Sequence, residues 1–321
     1  MTPIFKARTG SHLYGLSTPE SDEDFVGVFL PDVEELLGLQ PINEISNSTK
    51  NSGNSRRNNK DDVDDKFFSL QKFLHLALNN NPNIVELLFV NPENKIITSP
   101  QFTELENHYD KIISQKVYSS FKGYAYSQKH KLITKKERFI SLQNGLEFIK
   151  NNYSQDEQLD KKRVLTENEA NGLNFVLKVY KNKEGNPNPF HKGMPLKMIT
   201  ELLQSEYNDY GWRVKTKTFE TLGYDVKFGY HLVRLLFECK ELLTRGYLTF
   251  PLTGNDKLTL MSIRNGEVNY DEILAITESL EKEIDKIYEN KESLSDTLRY
   301  EPNRKWTNEW LVKTMKDYII K

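Results

Sequence analysis

A chain of 321 residues with 37% hydrophobic and 11% aromatic content has the material for two domains with packed cores. Its 44 basic and 46 acidic residues balance, so nucleic-acid binding would have to come from a local patch and not from bulk charge. A single cysteine, Cys239, excludes a disulfide framework and a cysteine-based zinc site, and the six scattered histidines form no His-x-x-x-His pair.

The opening residues MTPIFKARTGSHLYG contain no apolar run of signal-peptide length, and no stretch of 18 apolar residues occurs. Together with the scarce cysteine, this gives the expectation of a cytoplasmic protein. Residues 3–8 read as a strand, Thr9-Gly10-Ser11 as a turn, and the following HLYGLS as the start of a short helix. Asp22 to Leu30 turns apolar and β-branched, which predicts a second strand. Pro31 opens a helix over Val33–Leu39. Residues 43–61 are rich in Asn and Ser and carry almost no apolar surface to bury, so they are expected to form a mobile loop inside the first domain.

Order is expected to resume with a strand at Asp64–Phe68. A helix follows, with Leu70, Phe73, Leu74 and Ala77 on one face. Pro82 then opens a further helix through NIVELLFV, with Asn81 as its cap. Beyond residue 100 the chain reads as helical, and Val117, Phe121 and Tyr124 form one stripe. The run 182–189 is a loop. Tyr224–Thr244 is a strong helix closed by Gly246, residues 247–268 read as irregular or β-like, and Asn269 caps a last charged helix. The expected class is α+β: a small mixed sheet with helices over 1–110, then a mainly helical domain over 111–321.

One constellation carries chemistry. On a strand, residues i and i+2 share a face, so Asp22 and Asp24 would present two carboxylates together while Glu23 points away. Such oxygen ligands suit Mg²⁺, which binds through one or two carboxylates plus substrate phosphates. Gly10-Ser11 lies ten residues upstream. A glycine lets backbone approach a phosphate closely, and N–H groups at a helix start favour its charge. Alone, Asp-x-Asp is common and usually solvated; joined to the glycine turn and the apolar strand it becomes specific.

The segment GSHLYGLSTPESDEDFVGVFLP resembles the RlaP or YcgL-like nucleotidyltransferases associated with RNA repair, a branch of the DNA polymerase β-like superfamily with members in bacteria and phages. Gly10, Ser11, Tyr14, Gly15, Ser21, Asp22, Asp24 and Pro31 carry the match. Lys72, Phe73, Asn81, Pro82 and Glu86-Leu87-Leu88-Phe89 extend it, as do GYDVKFGYHLVRLL and the Ile-Arg-x-Gly stretch around Arg264. The resemblance implies a polymerase β-like nucleotidyltransferase domain followed by a helical domain closing the active-site cleft. It implies transfer of a nucleoside monophosphate from a nucleoside triphosphate (ATP among them) with Mg²⁺ or Mn²⁺ at a two-metal site.

By the same resemblance, Asp22 and Asp24 hold metal. A third carboxylate is Asp64 in the family's register before Ser-Leu-x-Lys-Phe, with Asp65 as the alternate. Gly10 and Ser11 bind nucleotide phosphates. Lys227, His231 and Arg234 lie on one stripe of the Tyr224–Thr244 helix with Glu238 and are expected to reach the nucleotide; a solvated stripe is the other reading. His12 and Arg264 are further candidates. The acceptor implied is RNA, with a protein or small-molecule acceptor, or a non-catalytic nucleotide- or RNA-binding role, as alternatives. A phage member would act in the host cytoplasm. The basic run Lys129, His130, Lys131, Lys135, Lys136 and Arg138, near Tyr124 and Tyr126, is either a single-strand RNA surface or an ordinary solvated helix face, as is Lys161-Lys162-Arg163.

Overall fold

The computed structural model describes residues 1–19, 21–48, 63–178, 180–181, 185–213 and 221–320. Among these residues five strands form one mixed sheet: β1 (Thr2–Arg8), β2 (Glu23–Leu30), β3 (Glu44–Ser48), β4 (Val63–Ser69) and β5 (Lys95–Thr98), in the order β3-β4-β2-β1-β5. β2 and β4 run parallel, and every other pair is antiparallel. One face of the sheet is covered by helices. Phe5 stacks on Phe102 of the Pro100–Asn107 helix at 3.8 Å between ring centroids, and Phe102 meets Phe73 of the Leu70–Ala77 helix at 5.5 Å. All three rings are fully buried, each contributing about 2–3 kcal/mol of transfer free energy.

The residues expected at each end of these elements do their work. Ser69 accepts from Lys72 N–H and Ser99 from Phe102 N–H, each a side-chain N-cap. Gly246, at φ +81°, closes the Val226–Arg245 helix by donating to Leu242. Asn269 and Glu272 form a reciprocal box at the start of the Tyr270–Glu289 helix.

Several expectations need correction. Residues 44–48, placed in a mobile loop, form strand β3 on β4; the remainder of that loop, 49–61, lies outside the described residues. Part of the 182–189 loop, residues 182–184, also lies outside them. Strand β5 was not anticipated. HLYGLS does not begin a helix but folds as hydrogen-bonded turns. Asn81 sits at the Pro82 helix start without a side-chain cap bond; its amide instead donates to Tyr124 Oη at 2.6 Å. Tyr124 is 39% exposed, and the buried stripe of the Val117–Asn152 helix runs through Ala125 and Leu132.

Residues 254–265, read as irregular, form a helix. Its Leu260 and Ile263 are buried, but Leu258 and Met261 are exposed and blur the period. The Tyr270–Glu289 helix is not the last; Arg304–Ile319 follows it.

Contacts divide the chain differently from a cut near 110. One compact unit comprises Met1–Ser127, Tyr230–Asn265 and Leu274–Lys321, and the other Gln128–Gly229 and Gly266–Ile273. The first holds the sheet. The second has its own core, with Leu142, Leu173, Leu196, Ile199 and Leu203 all buried. A chain that leaves a unit and returns to it gives no composition signal at the crossing.

Candidate active site

The pairing of β2 with β4 decides which carboxylates stand together. The two strands run in parallel register, with Asp24 opposite Asp64 and Phe25 opposite Asp65. Side chains alternate along a strand, so Asp24 and Asp64 leave the sheet on the same face and Asp65 on the other. That face is the helix-covered one, since Val28, in step with Asp24, is the register partner of Phe5. The carboxylates occupy its open end, where both strands begin.

Asp65 is committed elsewhere. It accepts from Lys6 Nζ at 2.9 Å, and Lys6 lies over the rings of Phe25 and Phe67 on the same side. Asp22 sits one residue ahead of β2 rather than on it. Its predecessor Ser21 is pinned, donating its N–H to Thr18 O and accepting from Thr18 N, both at 2.9 Å. Glu23 points toward Arg8, 3.2 Å away.

The glycine turn closes directly on this face. Thr9 N donates to Asp24 O at 2.8 Å, and Gly10 follows with φ +62°. A Cβ at Gly10 would lie 2.9 Å from Asp24 Oδ2, a contact that side chains do not tolerate. Only glycine satisfies both the left-handed backbone and that approach. The turn is held by Leu16 N to Ser11 O at 2.9 Å and Gly15 N to His12 O at 3.1 Å. Gly10, Ser11, Asp24 and Asp64 are thus gathered from three segments around one strand end, with Asp22 two residues before Asp24.

Behind the turn is a buried ionic cluster. Tyr14 donates its hydroxyl to Glu86 at 2.7 Å. Arg234 pairs with Glu86 and, at 2.7 Å, with Glu238, while its guanidinium lies over the Tyr14 ring at 4.7 Å. None of the four is more than 4% exposed. Burial pushes the Tyr14 hydroxyl and the Glu238 carboxyl well above their ordinary values. Burial also opposes the charge of Arg234, but the carboxylates of Glu238 and Glu86 outweigh it and hold the guanidinium protonated.

This corrects the expectation for Arg234: its side chain is spent on two carboxylates inside the fold and does not present a fork to a phosphate. Glu86, part of the Glu-Leu-Leu-Phe match, is one of the two carboxylate partners of that arginine. The sequence signal was available, because a charge on a helix apolar over most of its surface must be paired when buried.

The other expected residues are placed as follows. Lys227 belongs to the second unit, where it is exposed and its N–H bonds Asp225 Oδ1. His231 belongs to the first, half-buried, its ring edge-on to Tyr230 at 5.2 Å. His12 is half-buried in the glycine turn. Arg264, from the Gly254–Asn265 helix, donates to Ser21 Oγ at 3.0 Å and so stands beside the carboxylate segment.

In the second unit the basic run is largely engaged. Lys135 pairs with Asp225 and lies over Phe228, Lys136 lies over Tyr270, and Arg138 pairs with Glu206. Arg163 pairs with Glu157 and Glu169.

Among the described residues no three or more His, Cys, Asp and Glu side chains are grouped as a ready metal cage. The donor chemistry nonetheless fits Mg²⁺, which takes one or two carboxylates and completes its shell with waters and substrate phosphates. Asp24 and Asp64 on one face, with a glycine beside Asp24 in place of a side chain, offer that. Among the described residues no helix is long and apolar enough to cross a membrane.

A relative from Enterobacteria phage T4, named "Uncharacterized 38.9 kDa protein in nrdC-mobD intergenic region", is 27% identical over 309 residues, covering 89% of this chain and 89% of its own. No solved structure matches. The family model RlaP, described as "RNA repair pathway DNA polymerase beta family", matches residues 2–153. Those residues contain the whole sheet, the glycine turn and all three carboxylates, and over them the chain is similar to the RlaP family of DNA polymerase β-like proteins, which supports a function of the nucleotidyltransferase type.

Proposed function

We propose that this protein is a metal-dependent nucleotidyltransferase that moves a nucleoside monophosphate from a nucleoside triphosphate to an acceptor hydroxyl, with RNA as the acceptor. The observation that carries the reading is the in-register pair Asp24 and Asp64 on one sheet face with Gly10 closed against Asp24. Asp22, Asp24 and Asp64 would hold Mg²⁺ or Mn²⁺. When bound, the metal would neutralise charge on the phosphates and activate the attacking oxygen.

The chain's own residues supply the rest. Ser11 and the backbone of Gly10 receive the outer phosphates where residue 10 carries no side chain. Asp64 faces the acceptor side of the pair and helps position its hydroxyl. The Tyr14–Glu86–Arg234–Glu238 cluster keeps the turn seated and touches no reactant. RNA as acceptor rests on the family's description as an RNA repair pathway.

The test is incorporation from each α-labelled ribonucleoside triphosphate, with Mg²⁺ or Mn²⁺ and mixed RNA, against the variant Asp22→Ala/Asp24→Ala. Label in RNA that vanishes in the variant supports the reading. Label in protein would move the acceptor to a protein, and label in neither fraction with either metal would overturn transfer to RNA.

A further inference from the structure

The Gly254–Asn265 helix lies in the same compact unit as the sheet and brings two cations to the glycine turn. Arg264 donates to Ser21 Oγ at 3.0 Å, one residue before Asp22. Lys257 reaches the other end of the segment: a Cβ on Gly15 would lie 3.7 Å from its Nζ. Gly15 is itself held in the left-handed region, φ +67°, with Pro251 packed so closely that a Cβ would meet it at 2.8 Å. Leu252 N donates to Tyr14 O at 3.2 Å, so the chain leading into the helix is fastened to the turn.

Lys257 and Arg264 are seven residues apart. At 100° per residue this returns them to the same side of the helix, separated by about 10 Å along its axis. Both are half-buried, and neither has a carboxylate partner among the described residues. Several other cations of the unit have such a partner. Lys6 is paired with Asp65, Lys95 with Glu106, Lys122 with Asp285 and Arg234 with two glutamates. Two half-buried cations on one helix side, without carboxylate partners and set beside Gly15 and Ser21, call for an anion. The carboxylates beside them would repel a bare one, so a polyphosphate shared with a divalent cation fits best.

We propose that Lys257 and Arg264 form the polyphosphate-binding pair of this site, gripping the β- and γ-phosphates of the nucleotide and the pyrophosphate that leaves. The assignment rests on the nucleotidyltransferase reading and replaces the stripe Lys227, His231 and Arg234 as the source of phosphate-binding cations. Arg264 supplies a planar fork and Lys257 a point charge.

The test separates this inference from the reading beneath it. Binding of inorganic tripolyphosphate to the full chain is measured by calorimetry with and without Mg²⁺, for the wild type and for Lys257→Met, Arg264→Met, Lys257→Arg and Asp22→Asn/Asp24→Asn. Loss of one charge-assisted contact should weaken binding about tenfold in each methionine variant. Lys257→Arg should retain most of the affinity, and the carboxylate variant should bind in the absence of Mg²⁺ at least as well as wild type. Thermal midpoints equal to wild type establish that the methionine variants are folded; should Arg264→Met fail to fold, Lys257→Met decides. Wild-type binding that the methionine variants leave unchanged would overturn this assignment alone. A wild type that binds neither tripolyphosphate nor any nucleoside triphosphate with Mg²⁺ would overturn the nucleotidyltransferase reading as well.

Discussion

Gly10 and Asp24 occupy space that only a glycine leaves available: at φ +62°, a Cβ on residue 10 would stand 2.9 Å from Asp24 Oδ2. Gly10→Ala therefore meets two penalties. The left-handed backbone costs a non-glycine residue about 1–2 kcal/mol. The Asp24 carboxylate must also shift from the position it holds on the face it shares with Asp64, and an ångström of misplacement at a reacting centre costs about a hundredfold. The expected outcome is a folded protein, melting a few degrees lower, whose label incorporation falls by about two orders of magnitude. Full activity in Gly10→Ala would mean that Asp24 does not work where it stands.

The two neighbouring aspartates of β4 should separate cleanly. Asp64 shares a face with Asp24, whereas Asp65 turns to the other side and pairs with Lys6. Asp64→Asn is expected to cut turnover at least about a hundredfold, equivalent to about 2.7 kcal/mol of transition-state stabilisation, with little change in melting temperature. Asp65→Asn should do the reverse: activity within a few-fold of wild type, and a stability loss of about 1 kcal/mol from a partly exposed ion pair. Steady-state kinetics and urea titrations of both variants check this. If Asp65→Asn is the inactive one, the third carboxylate is Asp65 and not Asp64.

Arg234 should behave as a buried structural ion. Removing it leaves Glu86 and Glu238 facing each other inside the fold, and breaking a buried pair in this way costs about 3–5 kcal/mol. Arg234→Met is therefore expected to lower the denaturation midpoint strongly. Replacing the whole set, Arg234→Met/Glu86→Leu/Glu238→Leu, should restore much of the loss, because no uncompensated charge remains. A single variant with unchanged stability and a raised KM for nucleotide would return Arg234 to phosphate binding.

What the sequence discloses about this molecule follows a physical division. Strands β1, β2 and β4 are legible because each carries its own alternation, and Gly10-Ser11 with Asp22-x-Asp24 because they lie close together in the chain. The choice between Asp64 and Asp65 is a matter of register, which belongs to the partner strand and not to either residue. Strand β3 is hidden because Glu44–Ser48 is polar and takes its backbone bonds from β4. Arg234 differs from its expected role for another reason: a cation on an apolar helix must be paired, and while Glu238 stands four residues on, its other partner, Glu86, lies 148 residues earlier in the chain. Lys257 carries no local signal, since its place is set by Pro251 and Leu252 docking on the turn.

A last prediction concerns acid stability in the second unit. Glu169 completes the cap of its helix by accepting from Thr166 and also binds Arg163. The Arg163 guanidinium, first, and the Thr166 bonds, next, lower its carboxyl from the usual 4.5 to about 2. The sign follows from linkage: the unfolded chain binds the proton more tightly, so the stabilisation is fully present above about 4.5 and is lost as pH falls toward 2. Urea titrations of wild type and Glu169→Gln across that window should converge. The variant is expected to be less stable at neutral pH, and the gap should close as the wild-type carboxylate becomes protonated. A gap that stays constant from pH 6 to pH 2 would show that the cap bonds, which glutamine can partly keep, matter and the charge on Glu169 does not.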